Sequence, residues 1–253
     1  MTQKVHFTNT YLLNPVHRIT VDLIGAGGNG SQMLSCLARI DYSLRKLGRT
    51  GLYVTVYDND NVDEPNIGRQ LFTACDIGKN KAECLVTRFN RIYGNDWKAC
   101  ADKYRQCTRA NIIISCVDNV QTRIDIGKSL MKKSHGIKEN CNYYWMDLGN
   151  GQTSGQCVIG TGVTENQPRL SGYQSIKCMK NITDIFDLTV VDEADSGPSC
   201  SLAEALVKQD LFINSALVQS AASLLWHLLN DGVATCNGFY LNIDSMRMVP
   251  IPL

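Results

Sequence analysis

The 253-residue chain predicts an α/β fold: a doubly wound, mostly parallel sheet with helices on both faces, ending in edge strands. Three observations carry this. Short apolar runs alternate with longer segments of helical period between residues 19 and 134. The runs are apolar throughout, as in strands covered on both faces. A glycine-rich turn joins the first run to the first helical segment.

Taken in order, "ITVDLIG" (19–25) is a short apolar run ending in glycine, hence a buried strand. "SQMLSCLARIDYSLRKLG" (31–48) repeats Met33, Leu34, Leu37, Ala38, Leu44 and Leu47 at helical period, and Gly48 closes it. "GLYVTVYD" (51–58) is the second strand. "KNKAECLVTRFNRIYG" (79–94) sets Ala82, Leu85, Val86, Phe89 and Tyr93 on one helix face and stops at Gly94. "ANIIISCVDN" (110–119) is the third strand, and a helix over 120–134 follows. "YYWMDLG" (143–149) and "GQCVIG" (155–160) read as strands.

Pattern weakens from 161 to 208. There "VDEADSGPSC" (191–200) is acidic, then rich in small residues, and reads as a loop or crossover. The most apolar long segment, 211–230, contains Asn214, Ser215, Gln219, Ser220, Ser223 and His227. A membrane span needs about 20 mostly apolar residues, so this is a buried core helix. The stretch 237–253 alternates enough for one or two strands, and Pro250 and Pro252 keep them at an edge. The expected organisation is one domain over 1–253: a motif core over 19–160, a crossover over 161–208, and a C-terminal helix with strands over 209–253.

Composition bounds the function. Hydrophobic residues make up 44%, charged residues 19%, and the net charge is +1. That is an ordinary globular balance without the basic excess of a nucleic-acid or membrane surface. Eleven cysteines with no export signal in "MTQKVHFTNTYLLNPVHR" read as reduced thiols in a cytoplasmic protein. No Cys-x-x-Cys occurs, so no zinc is expected. The scattered His6, His17, His135 and His227 read as surface or packing residues.

The motifs narrow it further. "GAGGNG" sets Gly25, Gly27, Gly28 and Gly30 between strand and helix. There the backbone can approach a phosphate or ribose, and the helix N-terminus offers free N–H groups. The bland alternative is a tight βα turn. Asp58 ends the next strand, where an acid meets a ribose, or else caps a helix. Asp60 fits a ligand or a turn equally well. Arg69 carries a planar fork suited to phosphate oxygens, and Gln70 follows it. Lys81 opens a helix, where the dipole disfavours a cation; it holds phosphate or lies on a solvated face. With Asn66, these cations suggest a chain of phosphates. Asp118 falls at the carboxyl end of the third strand as a Mg²⁺ ligand beside phosphates, as a helix cap, or as both. Asn119 and Arg123 follow it.

Four pieces therefore stand in order: Gly-x-Gly-Gly-x-Gly (25–30), Asp-x-Asp with Asn-x-x-Arg-Gln (58–70), Asp-Ile-Gly-x-x-Lys (76–81) and Cys-x-Asp-Asn with Arg (116–123). Jointly they resemble the ThiF/MoeB/HesA superfamily, related to the adenylation domains of ubiquitin-activating enzymes. Within it, the look is nearest the ThiF-family proteins of bacterial PRTRC cassettes. The resemblance implies a Rossmann-like fold that binds ATP and Mg²⁺. It implies Asp58 on the ribose, Asn66, Arg69 and Lys81 on phosphates, and Asp118 on Mg²⁺. Gly25, Gly27, Gly28, Gly30, Asp60, Gln70 and Asn119 would complete the nucleotide site.

The implied reaction adenylates the C-terminal carboxylate of a small ubiquitin-like β-grasp protein, in a homodimeric enzyme. Transfer to a thiol is a possible sequel, with Cys200 the candidate acceptor and Cys178 a weaker one. This chain departs from the family in three ways. It lacks the Arg-Tyr-x-Arg-Gln segment before the first strand, leaving Arg18 near that strand. It lacks zinc-binding cysteine pairs, and it has Asn29 in place of an apolar residue in the glycine loop. The competing readings are adenylation of a peptide or modified tRNA, and an NAD-type oxidoreductase, which Arg69, Lys81 and Asp118 disfavour.

Overall fold

The computed structural model describes residues 2–105, 110–131, 141–164, 166–188 and 208–253. The chain begins with β1 (Gln3–Phe7) and α1 (Thr10–Leu13). It continues through β2 (Ile19–Ile24), α2 (Gly28–Lys46), β3 (Leu52–Tyr57), α3 (Lys81–Tyr93), β4 (Lys98–Cys100), β5 (Ile112–Ser115) and α4 (Val120–Met131). Two 3-10 turns, Glu64–Asn66 and Ala74–Asp76, lie between β3 and α3. Next come β6 (Tyr144–Asn150), β7 (Ser154–Thr161), β8 (Tyr173–Ser175) and α5 (Ile182–Ile185). The described chain closes with α6 (Ile213–Asn230), β9 (Val233–Ala234), β10 (Gly238–Asn242) and β11 (Arg247–Ile251).

Eight strands form the main sheet in the order β11-β10-β7-β6-β5-β2-β3-β4. From β4 to β6 the four pairings are parallel. From β6 to β11 the three pairings are antiparallel. Side-chain alternation explains why both faces are covered. Ile19, Val21 and Leu23 of β2, with Ile112 and Ile114 of β5, join the large core under α2, α3 and α6. Ile24 and Ile113 point the other way, with Ile126 of α4 and Ile182 of α5. The helices on both faces and the apolar strands match the fold class predicted from sequence. Pro250 lies on β11, the sheet's edge, where a missing N–H is tolerated.

The strand order reverses at β2. The chain runs outward through β3 and β4, then crosses to β5 on the other flank of β2. The carboxyl ends of β2 and β5 therefore bound a crevice, where open α/β sheets bind ligands.

Three features differ from the sequence reading. A second sheet, β8-β1-β9, includes a strand from the polar N-terminal stretch. Its His6 is buried, bonded to the Ile176 carbonyl and the Tyr144 hydroxyl at 2.8 Å each. Second, β8 and α5 fall inside the weakly patterned 161–208 region. Third, α2 starts at Gly28, not at residue 31, so Gly28 and Gly30 are helical. Among the described residues, no helix is long and apolar enough to cross a membrane.

Candidate functional site

The glycines differ in what they accommodate. Gly25 has φ +88°, and a Cβ there would sit 2.7 Å from the Cys116 carbonyl oxygen. A Cβ on Gly30 would overlap the Gly25 carbonyl, so this glycine lets α2 seat on its own loop. A Cβ on Gly28 would meet the Asn214 amide at 2.6 Å. A Cβ on Gly27 would have only Gln70 Nε2 near it, at 4.0 Å. Three of the four are thus glycine for the chain's own packing. Among the described residues nothing comes closer than that Gln70 atom to a Cβ on Gly27, which caps α2 without a side-chain acceptor for the helix's first N–H groups.

Asp58 lies one residue past β3. It fastens this loop by accepting from the Ala26 N–H at 2.6 Å, and it also accepts from the Asp60 N–H at 2.8 Å. Burial pushes its carboxyl above the usual range, against the pull of those amides and Lys81. Asp60 is exposed and pairs with Lys81 Nζ at 3.2 Å. Lys81 is the first residue of α3, and its side chain is buried rather than on a solvated face. Asn80 explains the geometry. It caps α3 through Glu83 N–H and donates to the carbonyls of Asp58 and Asp60 at 2.9 and 3.1 Å.

Arg69 has no carboxylate partner among the described residues. One of its terminal nitrogens donates to the Gln209 side-chain oxygen, while its buried Nε has no partner among the described residues. Burial lowers its pKa. Next to it Gln70 is buried, and its Oε1 also lacks a partner among the described residues. Leu71 N–H donates to Ser31 Oγ at 3.2 Å, which ties this segment to α2. Asn66 is turned inward on its own segment: its Oδ1 accepts from Asp63 N–H at 2.9 Å and closes the 3-10 turn.

At the end of β5, Asp118 is exposed and makes no hydrogen bond or ion pair among the described residues. The cap, the alternative role for Asp118, falls to Asn119, which accepts from Thr122 N–H at 2.9 Å. The reason is position, since Asn119 immediately precedes the first residue of α4. Arg123 is committed elsewhere. Its Nε meets both oxygens of the buried Asp147 at 3.1 and 2.9 Å. Ser115 Oγ donates to Asp147 at 2.5 Å, and Trp145 Nε1 donates to Ser115 Oγ at 2.7 Å.

Among the described residues, no three His, Cys, Asp or Glu side chains converge as a metal site. Arg18 is at the opposite end of the sheet, before β2, paired with Asp96 and stacked over Tyr53 at 4.8 Å. Cys178 is exposed, with the Thr161 hydroxyl 3.2 Å from its Sγ. Cys200 lies outside the described residues.

The structure thus joins Asp58, Asp60 and Lys81 by direct contacts beside the Ala26–Gly27 loop at the end of β2, and it sets Gln70 near Gly27, with Arg69 next in chain. Asp118 stands at the end of the adjacent β5, and Asn66 and Asn119 serve local caps. Sequence reasoning missed Asn80, Asn150, Gln209 and Asn214. A polar Asn214 within the apolar 211–230 segment was the signal for one of them.

No curated protein matches the chain in sequence. Among solved structures it is similar to E. coli MccB with ATP, at TM-score 0.61 and 14% identity, covering 95% of this chain and 64% of that one. It is similar to E. coli MccB with selenomethionine MccA, at 0.62 and 13%, covering 95% and 64%. Selenomethionine PaaA matches at 0.54 and 13%, covering 92% and 63%. The chain spans less than two thirds of the length of these proteins, and the likeness is one of fold. The profile of the ThiF family matches residues 5–249, and the chain belongs to that family.

Proposed function

We propose that this chain is an ATP-dependent adenylating enzyme that activates the C-terminal carboxylate of a small ubiquitin-like β-grasp protein. The observation that carries this is Arg69, a half-buried guanidinium with no carboxylate partner among the described residues and an unpartnered Nε. It stands beside Gln70, which borders the open face of Gly27 at the strand-order reversal. A desolvated cation without a counterion suits an anionic ligand.

ATP fits the remaining groups. Its phosphates would lie at the α2 N-terminus, within reach of Arg69 and Lys81, and its ribose would face Asp58. Mg²⁺ fits as well, because Asp118 presents a carboxylate with no partner among the described residues, and Mg²⁺ takes one or two carboxylates with phosphate oxygens and waters. When bound, it would neutralise phosphate charge.

A carboxylate oxygen of the substrate attacks the α-phosphorus. The bond from that phosphorus to the bridging oxygen breaks, and pyrophosphate leaves with the electron pair. No general base is needed, because the carboxylate is already ionised at neutral pH. Arg69 and Lys81 would stabilise the charge on the departing phosphates, so catalysis comes from positioning and electrostatics. Lys81 would exchange Asp60 for phosphate.

A β-grasp partner is supported by the antiparallel end of the sheet. There β11 is the sheet's edge strand among the described residues, and Tyr240, Met246, Met248 and Val249 are exposed. A strand edge with apolar neighbours suits pairing with another sheet. A homodimer and a later thiol acceptor, with Cys200 the candidate, complete the proposal.

The test is ATP–pyrophosphate exchange with purified β-grasp proteins, the same proteins with an amidated C-terminus, peptides and tRNA. Exchange is expected with one β-grasp protein and is lost on amidation. Exchange stimulated by a peptide or tRNA alone would reassign the substrate. Absence of exchange together with tight nicotinamide-dinucleotide binding would overturn the reading.

A further inference from the structure

We infer that Asn29, Asn150 and Asn214 form a brace that positions the first turn of α2, and with it the nucleotide loop. This rests on the adenylation reading above. The three residues come from three elements: the first turn of α2, the last residue of β6 and the first turn of α6. Asn214 Nδ2 donates to Asn29 Oδ1 at 2.9 Å and to Asn150 Oδ1 at 3.1 Å. Asn29 Nδ2 donates to the same Asn150 oxygen at 2.9 Å. Asn150 in turn donates to the Gly151 carbonyl at 2.9 Å. Each pair of amides in the cluster is therefore joined directly.

The brace is badly explained by stability alone. Asn29 and Asn214 are 7% and 2% exposed, and Asn214 Oδ1 is buried with no partner among the described residues. A buried amide with an unmet acceptor destabilises relative to an apolar side chain of the same size, and a partly satisfied network is worse than an apolar core. Leucines would fill this space with less loss of solvation. Amides, however, are directional. Leucine packing tolerates rotation and sliding of a helix end, whereas three mutual hydrogen bonds fix it.

The contact with Gly28 shows what is being fixed. The Asn214 amide lies within 2.6–2.8 Å of where a Gly28 Cβ would stand. It therefore lies flat against the α2 backbone, one residue after the open Gly27. The first turn of the core helix α6 thus sets where the α2 N–H groups point. Asn29, Asn150 and Asn214 are positioning residues, acting on the ligand through the loop.

The test uses Asn214→Leu, Asn29→Leu and the double variant of the full chain, with two readouts. The first is exchange kinetics with ATP as the varied substrate. Each single variant removes two of the three mutual hydrogen bonds and is expected to raise KM for ATP roughly five- to tenfold, the part of that loss that reaches the loop, with kcat nearly unchanged. The double variant is expected to match the worse single one, because the residues act as one unit. The second readout is amide hydrogen exchange. Protection of residues 26–31 is expected to fall in Asn214→Leu, although residue 214 is on another helix, while β2 keeps its protection. Unchanged protection over 26–31 in both single variants, or a loss of kcat alone with KM intact, would overturn the inference. If wild-type protein shows no exchange activity and binds a nicotinamide dinucleotide tightly, the adenylation reading fails, and the protection measurement still decides the brace. If Asn214→Leu does not fold, Asn29→Leu carries both readouts.

Discussion

Gly27 and Gly28 are adjacent, yet glycine is required at each for a different reason. At Gly28 an added methyl runs into the Asn214 amide at 2.6 Å. Overpacking of this kind costs roughly 1–3 kcal/mol, which outweighs the gain in helix propensity of at most about 1 kcal/mol. Gly28→Ala should therefore lower Tm by several degrees. At Gly27 the nearest atom is 4.0 Å away, and φ is −78°. Gly27→Ala should leave stability within about 0.5 kcal/mol of wild type, while the methyl intrudes where the phosphates approach. Thermal unfolding with ATP titration checks the pair. A Gly27→Ala variant that binds ATP as wild type does would contradict the ligand reading of the loop. At this scale the sequence announced the glycines and Asp58, Arg69 and Lys81 by type and spacing. It did not separate Gly27 from the others, because the atoms that would clash at Gly25 and Gly28 belong to Cys116 and Asn214, distant in sequence.

Among elements, β6 and α4 are joined by the ion pair of Arg123 with the fully buried Asp147, supported by Ser115 and Trp145. Breaking such a pair leaves one buried charge uncompensated and costs about 3–5 kcal/mol. Arg123→Ala should be destabilised on that order in denaturant unfolding, with nucleotide affinity little changed in the fraction that remains folded. A stability loss below about 1 kcal/mol, with exchange abolished, would place Arg123 on the phosphates instead. Sequence reading put Arg123 beside Asp118 by proximity along the chain. Its partner across the sheet, Asp147, lies on the neighbouring strand β6, and no local pattern encodes that pairing. The same holds for β1. It is five residues long, and its partners β8 and β9 come from remote parts of the chain. By contrast, β2, β3, β5, α2, α3 and α6 were legible because each buries a regular face that its own sequence displays.

The whole molecule is arranged around the strand-order reversal at β2. One flank sends the loop and α2, the other sends Asp118 at the end of β5, and β3 adds Asp58 between them and α3. That arrangement, with Arg69 lacking a carboxylate partner among the described residues, supports chemistry on a polyphosphate rather than hydride transfer. The most direct measurement uses a β-grasp protein whose C-terminal carboxylate carries ¹⁸O. Attack on the α-phosphorus makes that oxygen the bridge of the acyl-adenylate, so cleavage at the acyl carbon returns it in AMP. The account predicts ¹⁸O in AMP and none in pyrophosphate. Label recovered in inorganic phosphate alongside ADP, or unlabelled AMP, would contradict it.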